Sequence, residues 1–543
     1  MIKISEIDQR NIQTWNQENQ DKLSSWKVLV IGSDRLAQLV LGSLAGLGVG
    51  YRPNGGFILG LDDARIKRND FSFLAPYDEY KIGKERVKEF KKVISLIKED
   101  CHYLPLFADF NVARVYHHQP NIVIEASNDP LSKERALNYA LSYHIPFLSL
   151  SCNREKGALC CYWPKNDVNK KKNNLNLVKE NPDLENLVLA EFAGSSQETF
   201  TAAVVAGLAL EEIRKYTFRY VDKNGKELSF DQQGVSNKKY FYNPYSFSRS
   251  GKESDAKPKL INYFRNRKVL LVGAGALGNF LALGLADLGI KQLDILDLDT
   301  IEASNLNRQL LLYGRIGEKK APVLAERCQE LDHSLVIRSI YGKIGRVDLR
   351  EDRVWLEQLY AAEKKQWESK PLTLRENSFP TDLRSFAEKY YSLTTEERLD
   401  GVKLVAREEL AQQDYDLLLG GVDNKFARLW LNEFSRKNKV PYIDGGTSPQ
   451  SGQLAVYLPG KTQCVECQVN LQQLPSRNSC IEGPQASVVM SNMIIGGMML
   501  GEAVKVWQND LDPGRKNLTV KYDIFDKNRI YLQPEMVAEG GHC

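Results

Sequence analysis

Residues 268–278 read Lys-Val-Leu-Leu-Val-Gly-Ala-Gly-Ala-Leu-Gly, an apolar run that ends in three closely spaced glycines. Glycines at this spacing between a strand and a helix let the backbone approach a phosphate and leave the helix N-terminus open to an anion. Asp297 ends the next apolar run, where a carboxylate can contact a ribose hydroxyl. The stretch therefore predicts a strand–helix–strand unit with a nucleotide site at Gly273, Gly275 and Gly278. A nicotinamide-binding fold would show the same glycines.

An earlier part of the chain repeats this unit. Residues 27–37 read Lys-Val-Leu-Val-Ile-Gly-Ser-Asp-Arg-Leu-Ala, and residues 146–164 match 441–459 in the same order. The spacing between these landmarks is longer in the second copy, which indicates an insertion there. Alternating strand and helix patterns predict an α/β fold with two parallel-rich sheets flanked by helices.

The repeat divides the chain into two related domains. The predicted segments are 1–217 for the first domain, 218–262 for a polar connector, 263–543 for the second domain, and about 345–412 for the charged, helix-like insertion.

Composition limits the classes of function. Among the 543 residues, 73 Lys and Arg nearly balance 69 Asp and Glu, whereas a dedicated nucleic-acid binder is usually strongly basic. The uncharged stretches 136–153 and 483–501 contain Pro and Asn and are predicted to be buried core rather than membrane spans. Nine Cys without an apolar leader indicate thiol or metal chemistry in a reducing cytosol. We therefore expect a cytoplasmic protein with no nucleic-acid and no membrane partner.

Polar and basic residues follow Asp297 at the positions where phosphates would lie. They are Asn305, Arg308, Gln309 and Lys320. Arginine and lysine offset negative charge that develops on phosphoryl oxygens, whereas a dehydrogenase has no use for them there. The pattern thus favours attack on a phosphate over hydride transfer.

A carboxylate stands at the end of a second strand. Asp423 and Asn424 follow the apolar run that ends at Gly421. A carboxylate here can hold Mg²⁺, which polarises a phosphate and screens a pyrophosphate leaving group. Taken alone, the Asp-Asn pair is equally typical of a helix N-cap.

Several segments together resemble the active adenylation domain of ubiquitin-activating enzymes and of their sulfur-carrier relatives in the ThiF/MoeB family, whose domains are Rossmann-like. The matching segments are GAGALGN at 273–279, LDLDTIEASNLNRQ at 296–309, IGEKKA at 316–321, GGVDNKFAR at 420–428, VPYIDGGTSPQSGQLAVYLPG at 440–460 and TQCVEC at 462–467. The resemblance implies that the three glycines cradle ATP, that Asp297 binds the ribose and that Asp423 binds Mg²⁺. It also implies that Asn305, Arg308, Gln309 and Lys320 bind the phosphates.

The first copy departs from this pattern. Asp34 and Arg35 stand where the glycine loop would meet a phosphate, and no Asn-Leu-x-Arg-Gln follows Asp62. Arg86 replaces the lysine, and the metal position falls on Asn128 or Asp129. The resemblance implies an inactive adenylation domain paired with an active one in an intrachain pseudo-dimer.

The N-terminal segment resembles the opening helix of the family. There, an arginine five residues before a tryptophan crosses to the ATP phosphates of the partner domain. Arg10 occupies this place before Trp15. The alternative is a surface arginine on an amphipathic helix.

Cysteines carry two further expectations. Cys464 and Cys467 suit half of a tetrahedral zinc site, which family members complete with a second Cys pair. Here the remaining candidate ligands are Cys543 and the adjacent His542. An unmetallated thiol pair is the alternative. The resemblance places Cys480 in the crossover loop over the adenylate, where a thiolate can form a thioester. The alternative for Cys480 is a small buried residue. The other cysteines are expected in the core: Cys101, Cys152, Cys160, Cys161 and Cys328.

The resemblance implies an ATP-dependent activating enzyme that adenylates the C-terminal glycine of a ubiquitin-like protein, captures it on Cys480 and passes it to a conjugating enzyme. The absence of a large domain after Cys480 is typical of compact activators, such as those of bacterial antiviral conjugation operons of the Bil type. Three alternatives stay open: a sulfur-carrier adenylyltransferase of cofactor biosynthesis, a peptide-adenylating enzyme, which would not need Cys480, and a non-catalytic scaffold.

Overall fold

The computed structural model describes most of both repeats. The described residues are 6–67, 79–127, 129–153, 155–164, 199–218, 239–246, 250–251, 264–344, 353–369, 379–383, 385–386, 403–405, 407–469, 471, 486–510, 515–526 and 528–533. Cys480, His542 and Cys543 lie outside them.

Strands and helices alternate along both repeats, as the sequence predicts. The first repeat contains the strands β1 Lys27–Ile31, β2 Phe57–Asp62, β3 Tyr103–Phe107, β4 Ile122–Glu125, β5 Phe147–Cys152, β6 Gly157–Tyr162, β7 Lys239–Tyr242 and β8 Ser250–Gly251, and the helices α1 Gln9–Ser24, α2 Arg35–Gly46, α3 Arg86–Ile97, α4 Val112–Tyr116, α5 Pro130–Tyr143 and α6 Thr199–Thr217. The second repeat contains the strands β9 Lys268–Val272, β10 Gln292–Asp297, β11 Val336–Ile344, β12 Lys403–Val405, β13 Leu417–Gly420, β14 Tyr442–Thr447, β15 Ser451–Tyr457, β16 Thr519–Asp523 and β17 Ile530–Leu532, and the helices α7 Ala276–Asp287, α8 Lys320–Leu331, α9 Arg353–Ser369, α10 Arg407–Ala411, α11 Lys425–Asn438, α12 Val465–Val469 and α13 Val489–Gln508.

The two sheets have corresponding strand orders. Within the described residues, the first sheet runs β3-β2-β1-β4-β5-β6-β7-β8, and the second runs β12-β11-β10-β9-β13-β14-β15-β16-β17. In each sheet, the strands around the central one pair in parallel, and the strands after β5 and β14 pair antiparallel. Parallel strands need apolar residues on both faces because helices cover both, and β1 and β9 are buried after their first residue. The predicted α/β fold of two related, parallel-rich sheets is confirmed.

The predicted connector and the predicted insertion each contribute strands to a sheet. The segment 218–262, predicted as a polar connector, supplies β7 and β8, and β7 pairs with β6. In β7, the polar and apolar side chains do not alternate, because the three successive aromatic residues Tyr240, Phe241 and Tyr242 are all buried. Within the predicted insertion 345–412, α9 is helical, and β12 extends the second sheet beside β11.

The two repeats share one core. Helix α6 of the first repeat packs against α13 of the second, and residues of both belong to one continuous apolar cluster. A Cβ on Gly207 would lie 3.0 Å from the backbone oxygen of Met490, and one on Gly497 would lie 2.6 Å from that of Phe200. Such spacing requires glycine at the contact. Helix α13 is long and apolar enough to span a membrane, and 94% of that apolar window is buried inside the protein.

Candidate functional site

Two glycine loops meet at the carboxyl ends of β9 and β13. Gly273 has a φ of +98°, and a Cβ on it would lie 2.5 Å from the backbone oxygen of Gly421. A Cβ on Gly278 would lie 2.0 Å from the oxygen of Gly273, so the loop turns tightly into α7. Strand β9 lies between β10, which follows it in the chain, and β13, which begins the other half of the sheet, so the strand order reverses at β9. Crevices at such reversals of strand order are where open α/β sheets bind ligands.

The N-terminus of α7 is open. Gly275 occupies its N-cap without a side-chain hydrogen bond, and the nearest atom to a Cβ there would be 3.9 Å away, the Nε2 of Gln309. The first N–H groups of a helix lack partners within the helix and attract anions. The three predicted glycines therefore come together in a cradle suited to a phosphate.

Asn279 holds this cradle in place, a role that sequence reasoning missed. Its Nδ2 donates to the oxygens of Ala274 and Gly275 at 3.0 and 2.9 Å. Its Oδ1 accepts from the backbone N–H of Leu311 at 2.9 Å. The side chain thus joins the glycine loop to the turn that follows Gln309. The only signal in the sequence was its position at the end of the GAGALGN segment.

Asp297 lies at the end of β10, beside the loop. Its carboxylate accepts backbone hydrogen bonds from Ala274 at 2.6 Å and from Asp299 at 2.7 Å. Burial raises the pKa of Asp297 to about 6, while nearby Lys320 opposes this shift. Lys320, at the start of α8, is buried and pairs with Asp299 at 2.8 Å. A carboxylate has about four lone-pair sites, so Asp297 can orient the loop and still accept a ribose hydroxyl.

Arg308 is a buried cation held by neutral groups. Its Nη1 donates to the backbone oxygen of Ser304 at 3.0 Å and to Asn307 Oδ1 at 2.7 Å. In the part of the chain that the structure describes, no carboxylate lies within ion-pair distance of it. Burial, and then the positive charge of Arg10, lower the pKa of Arg308 to about 9, while the charge of Glu302 opposes this shift.

Arg10 crosses from the first repeat to this site. The turn Glu6–Asp8, just before it, packs against the turn Ala303–Asn305 of the second repeat. Burial lowers the pKa of Arg10, and the charge of Glu302 opposes this shift. Helix α1 is fixed by a buried ion pair between Asp8 and Lys98 and by the bond from Asn11 Nδ2 to the oxygen of Gly46 at 3.1 Å. Arg10 is therefore held against the second repeat rather than spread on an open surface.

Asn305 and Gln309 lie on either side of Arg308 in sequence. Asn305 is buried and accepts a bond from the N–H of Glu302 at 3.1 Å, as part of a capping box on the short turn Ala303–Asn305. Gln309 is buried, and its Oε1 has no hydrogen-bond partner among the described residues. A buried amide oxygen without a partner costs free energy, which a ligand donor would recover.

The structure assigns helix capping to Asn424 and leaves Asp423 available as a metal ligand, the two roles that the sequence left open for this pair. Asn424 Oδ1 accepts from the N–H of Ala427 at 2.8 Å and so caps α11. The side chain of Asp423 is exposed and forms no hydrogen bond or ion pair with the other residues that the structure describes. An exposed carboxylate at the switch point fits one ligand of Mg²⁺.

Arg428 braces the loop of Asp423, and sequence reasoning gave it no role although it ends the GGVDNKFAR segment. It donates to the oxygens of Val422 at 2.7 Å and Gly445 at 3.0 Å and pairs with Asp444. The loop between β13 and α11 is thereby tied to β14.

The corresponding site of the first repeat is filled by its own side chains. Asp34 caps α2 by accepting from Ala37 N–H at 3.3 Å, and Asp62 accepts from Ser33 Oγ. Asp129 caps α5 through the N–H groups of Leu131 and Ser132, while Asn128 lies outside the described residues. Carboxylates thus stand where phosphates would need positive groups.

Two cysteines form a pair that fits half of a zinc site. Cys464 Sγ and Cys467 Sγ are 3.6 Å apart, and a tetrahedral ion at about 2.3 Å from each would set sulfurs roughly 3.8 Å apart. No cluster of three or more His, Cys, Asp or Glu suited to a metal occurs in the residues described. The expected third ligand, Cys543, falls outside them, as does the predicted nucleophile Cys480.

The five cysteines expected in the core lie in or beside it. Cys152, Cys160, Cys161 and Cys328 are buried, and Cys101 is half-buried. Burial raises the pKa of Cys328 to about 12, which keeps it a thiol.

Among the known proteins with similar sequences are activating enzymes of ubiquitin-like proteins. The chain is 27% identical over 202 residues to SUMO-activating enzyme subunit 2 of Dictyostelium discoideum, covering 37% of this chain and 22% of that protein. It is 26% identical over 210 residues to the NEDD8-activating enzyme E1 catalytic subunit of Schizosaccharomyces pombe, covering 38% and 34%. The chain therefore spans about a third or less of these two relatives.

Among solved structures, Escherichia coli MccB with ATP shows 19% identity and a TM-score of 0.34, over 52% of this chain and 68% of that one. The model of the ThiF family matches residues 8–259, 247–360 and 387–539, which together span both repeats. The chain belongs to the ThiF family.

Proposed function

We propose that this chain activates a ubiquitin-like protein by adenylating its C-terminal glycine. The observation that carries the proposal is the pair of guanidiniums, Arg10 and Arg308, brought together from two repeats beside the open N-terminus of α7. Burial and, after it, the positive charge of half-buried Arg10 lower the pKa of Arg308, since both disfavour its charged form. A polyphosphate would relieve the repulsion between the two guanidiniums, so the arrangement favours ATP as a ligand.

The described residues divide the work of adenylation. The glycine cradle at Gly273, Gly275 and Gly278 holds phosphate through backbone N–H groups, and Asp297 accepts a ribose hydroxyl. A carboxylate oxygen of the modifier then attacks the α-phosphorus, the bond from that phosphorus to the bridging oxygen breaks, and pyrophosphate leaves. The charge that develops on the phosphoryl oxygens is offset by side chains from both repeats: Arg10, Asn305, Arg308, Gln309 and Lys320.

Magnesium belongs to this site through Asp423. When bound, the ion screens the phosphates and the pyrophosphate leaving group. The exposed carboxylate of Asp423 is available for it because Asn424 performs the helix capping.

We assign the second step to Cys480. Its thiolate would attack the acyl carbon of the adenylate, form a thioester and release AMP, and a conjugating enzyme would then accept the modifier by exchange between thiols. The named relatives support this class of partner, since they are activating enzymes of SUMO and NEDD8. A compact activator in a bacterial Bil-type antiviral operon is the narrower form of the proposal. Finding a neighbouring reading frame for a conjugating enzyme would support it, and finding one for sulfur-insertion proteins would favour the sulfur-carrier alternative.

Zinc has a structural role in this proposal. Cys464 and Cys467 would supply two thiolates near β15, and Cys543 a third. Cys464→Ser is expected to lower both zinc content and the thermal midpoint of unfolding, because bound metal contributes to folding free energy.

The test is ATP–pyrophosphate exchange with candidate ubiquitin-like proteins that end in glycine, followed by a non-reducing gel with ATP and Mg²⁺. The wild type should exchange and show a reductant-sensitive band with the modifier, whereas Cys480→Ala should keep exchange and lose the band. A persistent band in Cys480→Ala would reassign the nucleophile and leave the adenylation proposal in place. Absence of exchange with any such substrate would favour the non-catalytic scaffold.

A further inference from the structure

The side chain of Asn307 links the first repeat to Arg308 in the second repeat. It is fully buried, and its Nδ2 donates to Asn11 Oδ1 of helix α1 at 2.9 Å. The same nitrogen donates to the backbone oxygen of Ser487, just before α13, at 3.3 Å. Its Oδ1 accepts from Arg308 Nη1 at 2.7 Å. Both ends of the amide are therefore in use.

Asn11 is itself fixed by the first repeat. It is fully buried, and its Nδ2 donates to the oxygen of Gly46 at the end of α2, at 3.1 Å. A Cβ on Gly46 would lie 2.8 Å from the backbone oxygen of Asn307, so the two segments are in direct contact. A continuous chain of hydrogen bonds thus runs from α2 through α1 to Arg308.

The partners of Arg308 Nη1 are neutral, and this matters for an anion site. A carboxylate partner would hold the guanidinium equally well but would cancel its charge. Asn307 Oδ1 and the oxygen of Ser304 fix the group and leave its charge for a ligand. Arg308 is buried and Arg10 is half-buried, so the repulsion between the two guanidiniums would displace Arg308 if nothing fixed it.

We infer that Asn11 and Asn307 are positioning residues, through which the degenerate repeat holds Arg308 in place for the phosphates of ATP. The inference rests on the proposed function of the site. It gives the first repeat a second contribution besides Arg10, made through hydrogen bonds rather than through charge.

The experiment measures MgATP binding to the full chain by calorimetry, together with pyrophosphate exchange. Asn11→Ala should weaken ATP binding about tenfold, because a buried hydrogen-bond chain loses one member. The matched control is Asn19→Ala on the same helix. Among the described residues, the side chain of Asn19 bonds only to the oxygen of Trp15 in its own helix. That control should bind ATP as the wild type does.

Two double variants separate positioning from general damage. Asn11→Ala added to Arg308→Ala should cause no further loss of ATP affinity, because residues that act as a unit are not additive. Added to Arg10→Ala, it should still cause about a tenfold loss, which excludes an effect through the adjacent arginine. Multiplying losses with Arg308→Ala, or unchanged binding by Asn11→Ala, would overturn the inference while leaving the proposed function standing.

A second variant covers failure of Asn11→Ala to fold. Asn307→Asp keeps the size and the acceptor for Arg308 but places a negative charge against it. ATP affinity should fall at least about tenfold, because the carboxylate would neutralise the Arg308 charge that a phosphate would otherwise meet. Unchanged affinity would contradict the inference. A wild type that binds no ATP would overturn the proposed function as well.

Discussion

At the residue scale, Asp423 and Asn424 show how adjacent polar residues divide two tasks. Asn424 satisfies a free N–H of α11, and Asp423 faces outward from the end of β13. The side chain of a cap is committed to the backbone and has little left for a metal. The carboxylate of Asp423 beside it is not committed to the backbone and is available to a metal.

Asp423→Ala should therefore reduce pyrophosphate exchange at least about a hundredfold, since a bound metal supplies several kcal/mol of charge stabilisation. Its thermal midpoint should stay at the wild-type value because the side chain is exposed. Asn424→Ala is the control: loss of the cap should lower the free energy of unfolding by about 1 kcal/mol. Near-normal exchange by Asp423→Ala would remove Asp423 from the site.

The cap of α2 predicts a pH dependence. Burial, with a contribution from Asp62, raises the pKa of Asp34 from 3.8 to about 6. A carboxyl group with a raised folded pKa binds its proton more tightly in the folded state, so it favours folding more as pH falls through 6. Above that pH, the ionised group destabilises the fold.

Asp34→Asn keeps an acceptor for Ala37 N–H and removes the charge. We expect it to raise the urea midpoint at about pH 7.5, with a difference that shrinks as pH falls toward about 4. Equal or lower stability of the variant at about pH 7.5 would contradict this assignment.

At the scale of elements, α2 and α7 begin at equivalent positions with opposite outcomes. Asp34 aligns with Gly275, and only the former caps its helix. Gly275 has a negative φ of −73° and open space around a would-be Cβ, so the position tolerates a side chain.

Gly275→Asp should copy the first repeat into the second. We expect a folded protein with no loss of thermal midpoint, because the carboxylate caps α7. ATP affinity should fall at least about a hundredfold, since a carboxylate would stand where phosphate binds. Calorimetry with MgATP measures this, and Gly275→Ser, which caps without charge, is the control. Equal affinities of the two variants would show that charge at this position is irrelevant.

The sequence predicts those parts of the site that depend on local chain, such as the glycine turn and the cap at Asn424. It also points to Arg10, but only through the resemblance to a family, because the contact with Arg308 depends on how two repeats pack. The links made by Asn11 and Asn307 have no local signal at all. The sequence pattern does not predict strand β7, because its three successive aromatic residues show no alternation of polar and apolar side chains.

At the scale of the whole molecule, the two repeats share one apolar core but have unequal sites. Besides the contact between α6 and α13, an ion pair joins Arg35 to Asp287 at 2.7 Å, and Lys215 Nζ donates to the oxygen of Ile524 at 2.7 Å. Arg35 follows the lost glycine loop of the first repeat and pairs with the second. In the first repeat, residues at the position of the glycine loop therefore contribute to the contact with the second repeat.

This asymmetry predicts one ATP per chain. In the first repeat, Asp34, Asp62 and Glu125 supply carboxylates around the loop, and Glu125 pairs with buried Lys133 at 2.5 Å. Entry of a polyphosphate there would place like charges together, whereas a polyphosphate in the second repeat would relieve the repulsion between Arg10 and Arg308. Calorimetry with MgATP should give a stoichiometry of one, and Arg308→Ala should weaken that single site. Two equivalents per chain in the wild type, or one that persists unchanged in Arg308→Ala, would place nucleotide in the first repeat and reverse the assignment of the two halves.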